Sequence, residues 1–466
     1  MEHLKAKKDA RQAEAPMPQL FGTDGIRGQA NCYPITPEVA LLTGKAIAHA
    51  FNASGHGSKR VVIGKDTRLS GYMLETALTS GLVSMGMDVL LAGPVPTPAV
   101  AHLAKSMGCC AGIMLTASHN PFDDNGIKIF DHNGFKLSDE IQDSIEQLIL
   151  SGQVSSEHIR SADLGKAYRI EDARGRYIEF VKSSVRNQNL NGITVVLDCA
   201  NGAAYQIGPW IFKELGANVI KVFAEPDGYN INNNCGALHP ETVGALVREH
   251  KADIGIALDG DADRVVFTDA CGNVISGDRI LAMCALDYKA AGLLKRNTLV
   301  VTVMSNFGLY EALAANGIRV ETTEVGDRYV IERMREGDFN LGGEESGHVI
   351  FMDYATTGDG ILAALQVLKL MKQTGKTIKE LADCMTEYPR RVTSVKVAEK
   401  KPLETLPRLQ AARRACETAI KGRGRVMIRY SGTEKKLRIL VEALDPKEVD
   451  HWTAEIVAAA AQDLGA

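Results

Sequence analysis

The sequence predicts an α/β protein in which three similar βαβ-type domains with mixed sheets precede a smaller α+β C-terminal domain, all around a central cleft. A pattern of apolar strand, helix, strand, helix, and strand followed by a polar loop occurs three times along the chain. The residues from 387 onwards break that pattern. The length of 466 residues also fits three or four domains of roughly 100–200 residues each.

Each repeat contains three apolar segments, and the third segment runs directly into a polar loop. Short apolar strands that alternate with helices predict βαβ units and largely parallel sheets. Ligands bind beyond the carboxyl ends of strands in such sheets, so three domains can direct three loops at one cleft. The segments are VVIG (61–64), DVLLAG and GIMLTASHNP, then VVLD (195–198), NVIKVF and IGIALDGDADR, then LVVT (299–302), IRVETTEV and LGGEESGH.

The C-terminal segment predicts three strands flanked by two helices. Strands are expected at 391–398, 424–429 and 437–442, and helices at 405–420 and 447–464. The proline-containing stretch EYPRR (387–391) is the predicted linker. The predicted domains are therefore 20–170, 171–272, 273–386 and 387–466, preceded by a mobile N-terminal extension at 1–19.

Composition and charge exclude several classes of protein. Hydrophobic residues make up 45% of the chain and charged residues 24%, which is typical of soluble globular proteins and not of disordered or collagen-like chains. The chain has 53 basic and 57 acidic residues and therefore a net charge of −4. This charge gives no electrostatic reason to expect nucleic acid or a membrane as partner.

The nine cysteines indicate a reducing compartment. Their number is odd, and no CxxC or Cys/His ligand spacing occurs, so we expect free thiols in a cytoplasmic protein. The sequence contains no stretch of about 18 apolar residues, so we expect no membrane-spanning helix. Residues 1–19 are polar and lack the apolar region of a signal peptide.

The loop Asp259-Gly260-Asp261-Ala262-Asp263-Arg264 is the predicted metal site. Three carboxylates at alternate positions can converge on one Mg²⁺, which prefers oxygen ligands and a phosphate as co-ligand. An EF-hand is excluded because its sixth position is Arg264 and its twelfth is Ala270. The alternative is an acidic surface turn.

The loop Thr116-Ala117-Ser118-His119-Asn120-Pro121 carries a candidate nucleophile. Ser118 follows a buried strand and can act as a nucleophile or phosphoryl carrier, although the loop is not the GxSxG turn of an esterase. His119 is a candidate phosphate contact or proton donor. A capped turn is the alternative.

Two further loops offer polar groups to a ligand. In Gly342–His348, Glu344 and Ser346 can bind sugar hydroxyls, with a solvated turn as the alternative. In 429–434, an arginine, two hydroxyls and a glycine predict an anion site, with a hairpin turn as the alternative. The residues of that anion site are Arg429, Ser431, Gly432 and Thr433, with Arg438 after them.

The segment Phe21–Gly28 has glycines spaced GxxGxxG, which does not indicate a dinucleotide site. Its Arg27 is a candidate phosphate clamp, and Lys128 is a candidate acid or base. Gly375-Lys376-Thr377 lacks the upstream glycine of a P-loop, so an NTPase is not supported.

Five motifs, in this order, resemble the α-D-phosphohexomutase superfamily: FGTDGIRG, TASHNP, DGDADR, GGEESGH and RYSGTE. The resemblance extends along essentially the whole chain from about residue 20. FGTDGIRG, GDRYV (326–330) and TTGDG (356–360) further resemble the branch that acts on glucosamine phosphates.

The resemblance implies roles for these residues. Ser118 would be the phosphoserine, and Asp259, Asp261 and Asp263 would hold one Mg²⁺ per chain together with its phosphate. Arg27 and Lys128 would assist at the reacting centre. Sugar contacts are implied for Glu344, Ser346 and His348, and anchoring of the phosphate that is not transferred for Arg429, Ser431, Gly432, Thr433 and Arg438.

The implied activity is that of an isomerase that transfers a phosphoryl group intramolecularly. It would interconvert glucosamine 6-phosphate and glucosamine 1-phosphate through a 1,6-bisphosphate, supplying amino-sugar nucleotide and cell-wall precursor synthesis. Ser118 would be phosphorylated, with catalytic hexose 1,6-bisphosphate as activator. The partner would be a phosphorylated hexosamine, and a homodimer would be unsurprising. A general base near Lys128 would take the hydroxyl proton, which requires a partly neutral lysine beside other cations.

Three alternatives remain open. A phosphomannomutase/phosphoglucomutase would use the same chemistry on another sugar. A metal-dependent phosphatase with a covalent phosphoserine would release inorganic phosphate. A non-catalytic sensor of sugar phosphates would need neither Ser118 nor the metal. The chain also departs from the family at Ala262, where glycine is commoner, and at Lys435, where proline often follows SGTE.

Overall fold

A computed structural model describes residues 20–22, 24–53, 57–186, 188–431 and 435–464. The extension predicted at 1–19 lies outside the described residues, as do Gly432 and Thr433 of the predicted anion site. Within the described ranges, every helix is too short or too polar to span a bilayer. All nine cysteines are described as free thiols, and six of them are buried.

The first unit is built on a seven-stranded sheet in the order β1-β2-β6-β5-β3-β4-β7. Strands β3, β4, β5 and β7 are parallel, whereas β6 runs antiparallel to β5. Its elements are β1 (Phe21–Gly22), β2 (Gly25–Gln29), α1 (Pro37–Ala53), β3 (Arg60–Lys65), α2 (Ser70–Val83), β4 (Asp88–Pro94), α3 (Thr97–Ser106), β5 (Ala111–Leu115), β6 (Asp124–Asp131), α4 (Asp139–Leu150) and β7 (Ala167–Arg169).

The second unit has a five-stranded sheet in the order β12-β11-β10-β8-β9. Its central strands are parallel, and β11 returns antiparallel to β10. The elements are α5 (Ala173–Ser183), β8 (Thr194–Asp198), α6 (Ile207–Glu214), β9 (Asn218–Val222), α7 (Pro240–His250), β10 (Ile254–Leu258), β11 (Val265–Thr268) and β12 (Val274–Ile275).

The third unit repeats this arrangement in the order β14-β13-β15-β16, again with an antiparallel fourth strand. The elements are α8 (Gly277–Ala290), β13 (Thr298–Thr302), α9 (Phe307–Ala315), β14 (Arg319–Thr323), α10 (Asp327–Gly337), β15 (Leu341–Gly343), β16 (Val349–Phe351), α11 (Gly360–Thr374) and α12 (Ile378–Ala382).

The three sheets confirm the predicted repeat. In each, the second strand lies beside the first, the third lies on the other side, and the polar loop follows the third strand. Strands β5 and β10 are buried at every residue, as expected of parallel strands covered on both faces. The sequence did not reveal the antiparallel strand after each loop, because β11 and β16 are short and buried and show no alternating pattern.

The fourth unit is the predicted α+β domain, with an antiparallel sheet in the order β17-β19-β18. Its elements are β17 (Arg390–Lys396), α13 (Pro407–Ala419), β18 (Gly424–Tyr430), β19 (Lys436–Ala443) and α14 (Pro446–Leu464). The EYPRR stretch that leads into it is held on the third unit. The side chain of Asn306 bonds both the N–H and the C=O of Tyr388 at 2.9 Å.

Helix α11 joins the second and third units through one apolar core, and its first turn contains a buried polar contact. The hydroxyl of Tyr177 on α5 donates to the carboxylate of Asp359 at 2.8 Å, and the same carboxylate caps α11 by accepting from the N–H of Leu362. Burial raises the pKa of Asp359 to about 6 despite these bonds. The ionised carboxylate is therefore costly to bury and depends on its donors.

We expect Tyr177→Phe to lower the free energy of unfolding by about 1–3 kcal/mol, because it leaves a buried carboxylate short of one donor. The loss should be larger at pH 8 than at pH 5. Since the folded pKa of Asp359 lies above its unfolded value, protonation at low pH removes the charge that needs the hydroxyl. Urea unfolding at both pH values measures this. Tyr168→Phe, on an exposed strand residue, is the control, and equal losses at both pH values would contradict the expectation.

Candidate active site

Ser118 meets the acidic loop of the second unit directly. It follows β5, is 2% exposed, and its Oγ donates a hydrogen bond of 2.7 Å to Oδ2 of Asp259. Its backbone is left-handed, with φ of 52°. Non-glycine residues in this region are strained by roughly 1–3 kcal/mol and are common at functional sites. The predicted nucleophile and the predicted metal loop are thus adjacent.

The three aspartates of the acidic loop form one buried cluster. Asp259, Asp261 and Asp263 are at most 4% exposed, and one carboxylate oxygen from each lies within 4.8 Å of the others. Burial, together with the charges of Asp263 and Asp261, raises the pKa of Asp259 well above its usual value. Oδ1 of Asp261 and Oδ1 of Asp263 are buried without a hydrogen-bond partner. Carboxylate oxygens that have no hydrogen-bond partner are suitable ligands for a hard divalent cation.

The loop reaches this geometry because Ala262 adopts φ of 56°. The glycine commoner at this position takes such an angle without strain, whereas alanine is strained there by roughly 1–2 kcal/mol. The methyl group of Ala262 is fully buried in the main apolar core, which offsets part of that cost. The departure at Ala262 therefore leaves the three carboxylates converging.

Lys128 on β6 has surroundings opposite to those expected from the sequence. Its Nζ contacts Oδ2 of Asp261 at 2.9 Å, Asp263 at 3.1 Å and Asp24 at 3.3 Å. Burial would lower the pKa of Lys128, but these three carboxylates raise it well above its usual value. The groups in contact with Nζ are thus carboxylates, where the sequence analysis expected cations, and a role of Lys128 in proton transfer stays a prediction.

The side chain of His119 lies between Ser118 and Arg264, and its surroundings affect its charge. Burial first, and then the nearby charge of Arg264, lower the pKa of His119 to about 4. Its Nδ1 lies 3.4 Å from Oγ of Ser118 and 3.2 Å from the guanidinium of Arg264. This shift favours the neutral imidazole at pH 7, and both predicted roles of His119 stay predictions. The imidazole remains in reach of a group attached to Ser118.

A chain of alternating charges continues from Lys128 towards the third unit. Asp24 accepts from Arg27 and from Lys136 (2.5 Å to Nζ), and Lys136 reaches Asp327 at 2.6 Å. Burial would raise the pKa of Asp24, but Lys128, Lys136 and Arg27 hold it well below its usual range. Sequence analysis missed Asp24, Lys136 and Asp327. Asp24 and Asp327 lie inside the motifs FGTDGIRG and GDRYV, which was the available signal.

A cleft of about 640 Å³ lies between the first and third units beside this chain of charges. Glu344 lines it, is 7% exposed and accepts a 3.0 Å hydrogen bond from the N–H of Gly326. Burial raises the pKa of Glu344, although the charge of His348 partly opposes this. The polar side chains that line the cleft are Asp24, Arg27, Arg264, Thr302, Asp327, Arg328, Tyr329, Glu344, Glu345 and Ser346.

A second cavity of about 270 Å³ lies next to this cleft, beside the loop that carries Ser118. His119 and Asp259 line it, and it shares Arg264, Glu345 and Ser346 with the larger cleft. His348 is not part of either lining. It is 2% exposed, and its Nε2 accepts from the N–H of Gly358 at 3.1 Å. The predicted sugar contacts Glu344 and Ser346 thus face the cleft, whereas His348 lies behind it.

The described residues of the predicted anion site, Arg429, Ser431 and Arg438, are on the fourth unit and do not line the cleft. Arg429 and Arg438 are opposite each other on β18 and β19, and the C=O of Ser431 accepts from Lys400 at 2.7 Å. In the described residues 390–431 and 435–464, none lines the cleft. Contact with the third unit includes Arg390, which bonds the C=O of Met304 at 3.0 Å and the carboxylate of Glu345, and Arg425, which bonds the C=O of Ser305.

Comparison with known proteins agrees with this geometry. The chain matches four consecutive domain models described as phosphoglucomutase/phosphomannomutase alpha/beta/alpha domains I (18–155), II (175–272) and III (276–388) and the C-terminal domain (393–459). The protein belongs to the phosphoglucomutase/phosphomannomutase family. Among curated relatives, phosphoglucosamine mutase from Geotalea daltonii is 52% identical over 96% of this chain and 99% of its own, and that from Myxococcus xanthus is 49% identical over 97% and 99%.

Solved structures show the same fold. A phosphoglucomutase/phosphomannomutase family protein from Burkholderia thailandensis superposes with a TM-score of 0.80 at 25% identity, covering 95% of this chain and 97% of that one. Aspergillus fumigatus N-acetylphosphoglucosamine mutase, solved with GlcNAc-6P and magnesium, superposes with a TM-score of 0.65 at 19% identity, covering 96% of each chain.

If the aspartate cluster binds Mg²⁺, the metal should stabilise the wild-type protein, by about 2.7 kcal/mol at 100 times its Kd. Asp263→Asn removes one charged ligand and should abolish most of this stabilisation. Thermal unfolding with increasing MgCl₂ measures it, and Asp123→Asn, an exposed residue near the Ser118 loop, is the control. An equal increase in Tm for the wild type and Asp263→Asn would contradict a metal site here.

Proposed function

We propose that this protein is a phosphoglucosamine mutase, which interconverts glucosamine 6-phosphate and glucosamine 1-phosphate through phosphorylated Ser118 and a 1,6-bisphosphate intermediate. The observation that carries the proposal is the 2.7 Å bond from Ser118 Oγ to Asp259, which joins the phosphoserine candidate to the acidic cluster. The branch of the family is supported by relatives about half identical over nearly the whole chain.

In the forward direction, O1 of the sugar bonds to the phosphorus on Ser118 while the bond to Ser118 Oγ breaks. The proton of the O1 hydroxyl is released, and Ser118 Oγ gains one. The bisphosphate then reorients, and the 6-phosphate transfers its phosphoryl group back to Ser118. Each transfer depends mainly on positioning and on stabilising the charge of the phosphoryl group. We propose one Mg²⁺ per chain at Asp259, Asp261, Asp263 and the phosphoserine, where a bound Mg²⁺ would neutralise phosphate charge.

The cations around Ser118 have separate roles in this proposal. Lys128 is held as an ammonium by three aspartates, so we assign it to stabilising negative charge and not to accepting a proton. Arg264 lines the cleft and also bonds His119, which places its guanidinium near the Ser118 loop. Arg27 lines the cleft and pairs with Asp24, so it can contact a substrate phosphate at the entrance.

One carboxylate of the cleft lining supports an amino sugar as substrate. The lining holds both acidic and basic groups, and Asp24, Asp327 and Glu345 each pair with a lysine or an arginine. Among the described residues Glu344 forms no ion pair, so its carboxylate can attract a protonated amine. Glu344 and Ser346 are the proposed sugar contacts, with His348 holding the loop from behind. The alternative is a phosphomannomutase/phosphoglucomutase.

We assign the fourth unit to the phosphate that is not transferred. Its proposed ligands are Arg429, Ser431, Gly432, Thr433 and Arg438. Because the described part of this unit lies apart from the cleft lining, binding of substrate would require it to move towards the cleft about the stretch that contains Arg390. Such closure also excludes water from the reacting phosphoryl group.

The remaining assignments follow from the same proposal. The four working domains are 20–170, 171–272, 273–386 and 387–466, supported by four sheets that share no strand. Hexose 1,6-bisphosphate would load Ser118 when its phosphate is lost. Phosphorylated sugar substrates and nine free thiols are typical of the cytoplasm, where we place the protein, and a homodimer would be unsurprising.

A competition experiment tests the proposal. Protein with Mg²⁺ and catalytic hexose 1,6-bisphosphate is incubated with the 6-phosphates of glucosamine, mannose and glucose, and phosphorus NMR follows the products. We expect glucosamine 1-phosphate to form fastest, without inorganic phosphate. Faster formation of mannose or glucose 1-phosphate would overturn the substrate, and release of inorganic phosphate alone would indicate a phosphatase.

Ser118→Ala should reduce turnover below detection while the Tm stays within a few degrees of the wild type, because the group that carries the phosphoryl is lost. Intact-mass measurement after incubation with bisphosphate should show one added phosphate on the wild type and none on the variant. Substantial turnover by folded Ser118→Ala would contradict the phosphoserine role.

Arg429→Met should raise the KM for glucosamine 6-phosphate by about 10-fold or more, since a hydrogen bond to a charged group contributes about 1.5–3 kcal/mol. Phosphorylation of Ser118 at saturating bisphosphate should change much less. Arg414→Met, on the exposed side of α13, is the matched control. Equal losses of binding and of phosphorylation would count against an anchoring role.

A further inference from the structure

The conformation of Ser118 needs an explanation from its surroundings. Its left-handed backbone is unfavourable for a serine, and yet it aims Oγ at Asp259. Side chains of other residues form hydrogen bonds with both its N–H and its C=O. Its N–H donates to Oγ1 of Thr116 at 2.9 Å, and Thr116 in turn donates to Oδ2 of Asp66 at 2.7 Å.

The carbonyl side of the loop is held first by Arg68, from the same unit. This arginine is fully buried and pairs through Nε with Asp66 at 2.8 Å. Its two terminal nitrogens donate to four backbone carbonyls of the loop, and such charge-assisted bonds are roughly twice as strong as neutral ones. The acceptors are the carbonyls of Ser118 (3.0 Å), Asn120 (2.8 Å), Asp124 (2.9 Å) and Pro121.

A second donor reaches the same carbonyls from the second unit. Nδ2 of Asn232 donates to the C=O of Ser118 at 2.9 Å and to the C=O of Asn120 at 3.0 Å. Asn232 lies between β9 and α7, more than one hundred residues further along the chain. The carbonyl of Ser118 therefore accepts one hydrogen bond from each of two units, which uses both of its lone pairs.

The metal loop packs against this same point. A Cβ added to Gly260 would lie 2.6 Å from the carbonyl oxygen of Ser118 and 2.8 Å from Nδ2 of Asn232. Only a residue without a side chain allows the backbone of the acidic loop to come this close. The bond from Asn232 thus joins the Ser118 loop to the second unit at the position where the acidic loop passes.

We propose that Asn232 is a positioning residue, which fixes the Ser118 loop of the first unit against the acidic loop of the second so that Ser118 Oγ stays in line with the aspartate cluster. The inference rests on the proposed function, since it concerns the alignment needed for phosphoryl transfer. Asn232 touches neither substrate nor phosphoryl group in this scheme. It acts only through the carbonyls of Ser118 and Asn120.

Two substitutions test this without straining the backbone. Asn232 has φ of 57°, a region that glycine and aspartate tolerate. Asn232→Gly deletes the donor, and Asn232→Asp keeps the shape but presents oxygens to two carbonyl oxygens. Asn234→Gly is the matched control, because Asn234 has φ of 52° in the same turn and its Nδ2 bonds only the side chain of its neighbour Asn233.

We expect about a 10- to 100-fold lower kcat for both variants, because a displacement near 1 Å at the reacting group can cost this much. The KM for glucosamine 6-phosphate should stay within about 2-fold, since the sugar and phosphate contacts lie elsewhere. Single-turnover phosphorylation of Ser118 by bisphosphate, quenched and followed by mass spectrometry, should slow in parallel. The Tm of each Asn232 variant should stay within a few degrees of the wild type, so that the protein remains folded at the assay temperature, and the activity of Asn234→Gly should match the wild type.

Unchanged kcat in Asn232→Gly and Asn232→Asp would overturn the inference. So would a loss of kcat in Asn232→Gly that is fully explained by a smaller folded fraction, or an equal loss in Asn234→Gly. The activity of the wild-type protein distinguishes a failure of this inference from a failure of the proposed function. If the wild-type protein forms no glucosamine 1-phosphate, the proposed function fails, whereas wild-type activity with unaffected variants means that only the role of Asn232 fails.

Discussion

Three carboxylates buried at one point are the constraint on which the rest of the site depends. Like charges out of water are costly unless positive charge lies close to them. The chain supplies Lys128 to Asp261 and Asp263, and it leaves one oxygen of each without a hydrogen-bond partner. A divalent cation would balance the remaining negative charge. The Ser118 hydroxyl is bonded to Asp259, so a phosphoryl group on Ser118 could share such a cation.

Buried charges are also paired with opposite charges across the boundaries between units. Lys128 also contacts Asp24, which holds Lys136, which reaches Asp327 at the start of α10. Positive and negative groups alternate along this path from the second unit through the first to the third. Most members contact more than one opposite charge, so removing one would leave its neighbours with fewer partners at a buried position. The fourth unit is outside this network. It contacts the third unit through Arg390, which pairs with Glu345, and through Arg425, which bonds the C=O of Ser305.

Two left-handed residues lie at the centre of this arrangement, Ser118 and Ala262. Each is more strained than glycine would be there, and each lies in a loop that follows a fully buried parallel strand. Rigid strands β5 and β10 fix where both loops begin. Hydrogen bonds from Arg68 and Asn232, and the burial of the Ala262 methyl group, then hold the strained conformations in place. Strain of this kind persists only where the surroundings over-determine the backbone.

The sequence by itself determined the three-fold repeat, the α+β fourth domain, the acidic cluster and the position of Ser118, because strand burial and loop polarity are local properties of the chain. It missed Asp24, Lys136 and Asp327, and it assigned Lys128 the wrong neighbours. It also did not separate Glu344, which faces the cleft, from His348, which lies behind it. Only the tertiary structure decided these points. The pKa of a buried group, and whether a side chain faces solvent, depend on residues more than one hundred positions away that no local pattern identifies.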